Sequence, residues 1–116
     1  MGHRGEAAEA LAAAFLQQNG LKLIARNYRC RFGEIDLIVR DGKTLVFVEV
    51  RMRASDEFGG AAGSITAAKR ARLARAARHY LAALRVAPAC RFDAVLIAGD
   101  HTIEWLKNAF EERTAP

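Results

Sequence analysis

Two runs rich in β-branched and large apolar residues, Glu34–Arg40 and Thr44–Arg51, stand on either side of Asp41-Gly42. This arrangement constrains the chain more than any other. Each run has the length and composition of a strand, and Asp-Gly between two such runs is a strong hairpin signal. Side chains alternate between the faces of a strand, so fixing the register fixes which residues meet. With Asp41-Gly42 as a two-residue turn, Arg40 pairs with Lys43 and Glu34 lies opposite Glu49. One face then carries Glu34, Asp36, Glu49 and Arg51, with Ile38, Leu45 and Phe47 toward the turn. The other carries Ile35, Leu37, Val39, Val46, Val48 and Val50, a surface for packing on a helix. A longer turn puts Asp36 opposite Glu49. Either register brings the carboxylates within roughly 5–8 Å of one another.

Like charges facing each other across strands repel, and partial burial raises the cost. Something must offset that repulsion. A divalent cation bound by oxygen ligands would do so, and so would a neighbouring arginine such as Arg51. A catalytic metal site and a structural carboxylate–arginine cluster both remain open on spacing alone.

Around the hairpin, residues 4–18 read as an alanine-rich helix closed by Asn19-Gly20, with glycine suited to a left-handed cap. Residues 22–30 read as a strand, followed by a turn at Arg31-Phe32-Gly33. Residues 54–64 contain Gly59, Gly60 and Gly63 without nucleotide-cradle spacing, which predicts a mobile loop that either closes over substrate or serves as an ordinary flexible connection. A long helix is expected from Thr66 to Leu84, with Leu73, Ala77, Tyr80 and Leu84 on its apolar face. Arg72, Arg75 and Arg78 on its other side either track a phosphate backbone or form a solvated face. Strands follow at Arg91–Ala98 and Ile103–Leu106, then a frayed tail. The order αβββαβ(β) predicts one α/β domain over residues 1–116, a mixed central sheet of about four to five strands flanked by helices. Asp93 is expected to pair with an arginine and fix the sheet. Trp105 is expected to cover one end of the sheet and bind no ligand.

Cys30 and Cys90 are 60 positions apart with no paired spacing, and His3, His79 and His101 are scattered. Neither a zinc site nor a disulfide framework is expected. No apolar run approaches a membrane span and no signal sequence is evident, so a cytoplasmic protein without membrane contact is expected. The net charge is +5, and 14 of the 18 basic residues are arginine. Arginine forks well onto phosphate, so a polyanionic partner gains weight.

Asp36, twelve residues, then Glu49-Val50-Arg51 resembles the (P)D…(D/E)xK pattern of the restriction-endonuclease superfamily. Further stretches narrow the likeness: Gly5-Glu6, Asn27-Tyr28-Arg29, Gly33-Glu34-Ile35-Asp36-Leu37-Ile38, Phe47-Val48-Glu49-Val50-Arg51-Met52-Arg53, Lys69, Arg91-Phe92-Asp93 and Asn108-Ala109-Phe110. Over nearly its whole length the chain resembles the YraN-like family of bacterial predicted endonucleases, itself similar to archaeal Holliday-junction resolvases. The resemblance implies a restriction-endonuclease-like core and hydrolysis of phosphodiester bonds in structured or branched DNA. It implies Mg²⁺ or Mn²⁺ held by Asp36, Glu49, the carbonyl of Val50 and Glu6, with Glu9, one helical turn on, a rival to Glu6. Arg51 stands where the superfamily has a lysine. It cannot act as a base but can stabilise developing phosphate charge. Arg29, Arg31, Arg53 and Lys69 are the expected nucleic-acid contacts. Tyr28 either stacks on a base or packs. Nucleic acid, DNA in the first place, is the implied partner, and a homodimer is the implied assembly. The competing expectation is a non-catalytic module that keeps the nuclease fold for binding nucleic acid or protein.

Overall fold

A computed structural model describes residues 3–53 and 65–110. The elements run α1 (His3–Gln18), β1 (Lys22–Cys30), β2 (Gly33–Asp41), β3 (Thr44–Arg53), α2 (Ala67–Ala82), β4 (Cys90–Ala98) and β5 (Ile103–Phe110). The five strands make one mixed sheet in sequence order. β3 and β4 pair in parallel, while the other three neighbouring pairs are antiparallel. A parallel pair needs a long crossover, and α2 lies within it. The glycine-rich loop and the tail beyond Phe110, both anticipated from sequence, lie outside the described residues. No helix among the described residues is long and apolar enough to cross a membrane.

The sheet has a helix on each face. Ala8, Ala12, Ala13 and Leu16 of α1 pack on Leu37, Val39, Val46, Val48, Val95 and Ile97. On the opposite face, Leu73, Ala74, Ala76 and Ala77 of α2 pack on Ile35, Ile38, Leu45, Phe47, Phe92 and Ala94. Alanine favours helix at little entropic cost, and its small side chain lets α1 lie close to the sheet. The helix ends in a Schellman motif, in which Leu21 N–H donates to the carbonyl of Leu16 and Gly20 N–H to that of Gln17. Gly20 takes the left-handed conformation at φ 92°. Leu16 and Leu21 share the core beneath it, so the cap also fixes the entry of β1. Thr66 caps α2, its hydroxyl accepting from Lys69 N–H at 3.1 Å.

The β2–β3 hairpin has the register expected of the longer turn, reached by moving a two-residue turn one position along the chain. Asp41 pairs with Thr44 and Leu37 with Val48, leaving Gly42-Lys43 as the turn with Gly42 at φ 62°. Regular pairing is recorded from Leu37/Val48 to the turn. Beyond it, the two-residue alternation of β2 breaks at Asp36. Leu37 packs on the α1 side, whereas Ile35 packs on the α2 side, against the expectation of one shared face. On β1, Asn27, between the pairs Arg26–Leu37 and Tyr28–Ile35, takes a left-handed conformation at φ 55°. Asparagine tolerates this better than most residues.

β5 is longer than its sequence suggests because it contains a bulge. Ala94 pairs with Leu106 but Phe92 with Phe110, and Asn108, in the bulge, has φ 55°. The carboxylate of the fully buried Asp93 fills the gap. It accepts from Asn108 N–H at 2.9 Å, from Trp105 Nε1 at 2.9 Å and from two nitrogens of Arg91 at 2.9 and 3.1 Å. Arg91 also reaches Asp41 at 3.0 Å. The expected Asp93–arginine pair is thus present, and Trp105 is held by it.

Removing one partner of such a group strands the others. Asp93→Ala is expected to cost about 3–5 kcal/mol, read from urea unfolding, because it leaves Arg91 and two N–H donors without their acceptor. A loss under about 1 kcal/mol would show that the bulge holds without Asp93.

Candidate metal and phosphate site

Where β2 leaves β3, the Asp36 side chain takes the place of a strand carbonyl. Its Oδ2 accepts from Val50 N–H at 2.9 Å. This bond satisfies a backbone donor that the parting strands would otherwise leave open, and it aims the remaining oxygen of Asp36 into the fork. Gly33, Glu34, Asp36, Glu49, Lys69, Arg72 and Leu73 line a cavity of about 150 Å³ there. β2, β3 and α2 therefore all contribute to one pocket, and α1 adds Glu9 from the other side.

Glu9, Glu34 and Asp36 each offer a carboxylate oxygen, and these oxygens lie within 4.8 Å of one another. Glu9 is 8% exposed, and its buried Oε1 has no hydrogen-bond partner among the described residues. Glu49 is 3% exposed, and Lys69 Nζ forms an ion pair with its Oε2. Glu34 sits nearer the solvent, 3.3 Å from Arg29 Nε.

The electrostatics follow from this crowding. Burial, then the charge of Asp36, pushes the Glu49 carboxyl up to about 7, with Lys69 pulling the other way. Burial also raises Asp36, opposed by the Val50 N–H bond, by hydrogen bonding to Glu49 and by Lys69. Glu9 is raised by burial and by Asp36, with an Asn27 hydrogen bond in the opposite sense. Three neighbouring carboxyls are thus all less acidic than usual. This is the state of a carboxylate cluster short of positive charge.

The residues expected from sequence fall into place unevenly. Asp36 and Glu49 come together, and Lys69 reaches them from α2. Val50 contributes its amide N–H, which holds Asp36. From α1 it is Glu9, and not Glu6, that reaches the cluster; Glu6 stands exposed one turn earlier. The buried alanine face of α1 decides between the rivals, because Glu9 is next to Ala8 and one turn before Ala12 and Ala13. Arg51 is half-buried two residues beyond Glu49, and among the described residues that line the cavity it has no place. Arg29 pairs with Glu34, Arg31 lies over Phe32, and Arg53 closes β3.

Two lining residues were not anticipated. Glu34 was placed on the carboxylate face but not among the metal ligands. Arg72 was assigned to a stripe on α2, yet it lies three residues after Lys69 and so on the same side of the helix. That spacing was the available signal.

Over residues 8–97 the chain matches the model of the uncharacterised protein family UPF0102. Among similar proteins, a UPF0102 protein of Nitrosomonas europaea is 65% identical over 113 residues, covering 96% of each chain. One of Nitrosomonas eutropha is 61% identical over 110 residues, covering 95% of each. One of Methylobacillus flagellatus is 56% identical over 108 residues, covering 91% of this chain and 95% of the relative.

The pKa of Glu49 has a consequence for stability. Its folded-state value lies above the unfolded one, so the folded protein holds the proton more tightly. The resulting cost is absent below about 4.5 and grows as pH rises through about 7. In metal-free buffer, Glu49→Gln should raise the melting temperature at about pH 8, and the gain should shrink toward about pH 5. A gain of equal size at both ends, or a loss at pH 8, would show that ionised Glu49 is not the strained group. With the match over residues 8–97 and relatives at 56–65% identity along nearly its full length, the chain belongs to the uncharacterised protein family UPF0102.

Proposed function

We propose that this chain is a divalent-metal-dependent endonuclease that hydrolyses phosphodiester bonds in structured or branched DNA, built on a restriction-endonuclease-like core. The observation that carries the reading is the buried, unpartnered Oε1 of Glu9, in a carboxylate group with Asp36 and Glu34. Hard oxygen donors without sulfur or imidazole suit Mg²⁺ or Mn²⁺. Burial first, and then neighbouring carboxylates, raises Glu9, Asp36 and Glu49, and a cation would offset both effects. Glu9, Glu34 and Asp36 would hold it, with Glu49 on the other side of Asp36. Such an ion, when bound, supplies Lewis acidity at the scissile phosphate and lowers the pKa of a water for in-line attack.

The protein's own groups do the rest. Val50 N–H fixes the carboxylate of Asp36. The Lys69 ammonium, held at Glu49, is a compact cation on the cavity wall that can take a phosphate oxygen and stabilise the charge developing on it. In this reading Lys69, arriving from α2, takes the part that the superfamily gives to a lysine at the position of Arg51. Arg72 adds a forked cation on the same wall, suited to a second phosphate oxygen.

One observation favours a second reading. Lys69 already neutralises Glu49, so the site can balance part of its charge without a metal. A binding module that retains the nuclease fold is the alternative this supports.

The deciding assay incubates labelled duplex, single-strand, flap and four-way-junction DNA with the protein in Mn²⁺ and in Mg²⁺ at low salt. Cleavage is expected on a structured substrate. It should fall to background in Asp36→Ala and Glu9→Gln, fall by roughly 100-fold in Lys69→Ala, and persist in Glu6→Gln. Salt-dependent binding by wild type and Asp36→Ala alike, with no cut in any substrate, would replace the nuclease with the binding module.

A further inference from the structure

Beside the acidic cavity, the turn between β1 and β2 presents an aromatic ring where small polar residues are usual. That turn is Arg31-Phe32, between the paired residues Cys30 and Gly33. Tyr28 and Tyr80 pack against the α2-side core, but among the described residues packed on either core cluster Phe32 has no place. Its ring instead meets the exposed His79 of α2, centroids 5.9 Å apart at 63°, and its face carries the guanidinium of Arg31 at 4.9 Å. His79 is tied inward through a 2.6 Å hydrogen bond between its Nδ1 and Tyr28 Oη. Tyr28 packs edge-on against Tyr80 at 5.2 Å, and Tyr80 against the buried Phe47 at 6.2 Å. A line of rings thus runs from the core to the surface and holds its outermost members in a fixed attitude.

The position of this ridge suggests its use. Gly33, the residue after Phe32, lines the acidic cavity together with Arg72. A Cβ on Gly33 would stand 3.6 Å from Arg72 Cβ, so the turn lies directly against α2. Arg29 and Arg31 on the turn side and Arg72 and Arg75 on the helix side are exposed around it. A rigid aromatic flanked by arginines is the chemistry that holds a single-stranded nucleic acid, because every base has a π-face and every linkage a negative charge. A paired base inside a duplex offers neither face.

We propose that Phe32, backed by His79 and Tyr28, is a stacking platform for an unpaired base of a DNA strand whose neighbouring phosphate enters the Asp36–Glu49 cavity. This rests on reading that cavity as a phosphodiester site and narrows the substrate to DNA with a single-stranded segment beside the cut. Arg31 covers the ring in the free protein and moves to sandwich the base or to follow the next phosphate.

The test is fluorescence anisotropy with a labelled single strand and a blunt duplex of the same sequence, in EDTA so that nothing is cut. Phe32→Leu keeps an apolar side chain and removes the ring. It should weaken single-strand binding roughly tenfold and leave duplex binding unchanged, while Phe32→Trp binds the single strand at least as well as wild type. Thermal melting of the Phe32→Leu and Phe32→Trp proteins checks that both are folded. Single-strand binding unaltered in Phe32→Leu, or single-strand and duplex affinity falling together, would overturn the platform. The outcomes separate this proposal from the nuclease reading. A selective single-strand defect in a protein that cuts nothing in Mn²⁺ sinks the endonuclease and keeps the platform. Cutting by wild type with normal single-strand binding by Phe32→Leu does the reverse.

Discussion

The 2.9 Å bond from Val50 N–H to Asp36 Oδ2 is the contact on which the rest of the site depends. A hairpin paired to its end would leave no room between β2 and β3. This one is paired regularly from Leu37/Val48 to its turn, and Asp36 then takes a backbone donor of β3 with its side chain. The strands can part because the orphaned amide is satisfied. The parting also turns Ile35 toward α2 and opens the end of the sheet to both helices. Glu9 can then arrive from one layer and Lys69 from the other. Without the bond, an unpaired N–H would sit beside three crowded carboxyls.

The sheet uses the same device twice, and the comparison separates a scaffold from a site. Asp93 also replaces a missing ladder partner, at the β5 bulge, and Asn108 and Asn27 occupy the corresponding left-handed positions beside Asp93 and Asp36. Asp93, however, collects donors from Asn108, Trp105 and Arg91, the arginine being shared with Asp41. Its requirements are met within the protein. Around Asp36 the neighbours are mostly further carboxylates, one of them with a buried oxygen lacking any partner. Two aspartates in equivalent backbone situations thus end in opposite electrostatic states. Only around Asp36 does a buried carboxylate oxygen, that of Glu9, lack a hydrogen-bond partner among the described residues, which is why function is sought there.

The alternation of apolar residues made the strands and both helices readable, because burial on a two- or 3.6-residue period leaves a local trace. Asp36 and Glu49 were legible as neighbours through the spacing of two hairpin strands, and Lys69 was singled out through the family resemblance. Other features depend on contacts that leave no such trace. The choice of Glu9 over Glu6 needed the rotation of α1 on the sheet, which buries Ala8, Ala12 and Ala13. The turn of Ile35 toward α2 followed from a side chain replacing a backbone partner, which alternation cannot anticipate. The β5 bulge hid the length of the last strand in the same way, since Lys107-Asn108 interrupts its pattern.

Charge is distributed unequally over the molecule, and this orders the steps that any polyanionic ligand would meet. The chain carries a net +5, yet carboxyl groups from Glu34, Asp36 and Glu49 line its cavity and Glu9 adjoins Asp36 and Glu34, against one ion-paired lysine and one arginine on the wall. Arginines on the β1–β2 turn and on α2 surround that negative centre. Within a Debye length of about 8 Å an approaching polyanion would meet the arginines of the rim before the carboxyls of the cavity, and at low salt it would be attracted. At the cavity the same phosphate would meet carboxyls made less acidic than usual first by burial and then by their neighbours. Approach and engagement therefore have opposite dependences. Approach would weaken with any added salt, whereas engagement in the proposed reading needs the carboxylates neutralised. In the proposed reading a polyanion can be bound without being cut, and neutralisation of the fork converts the one into the other.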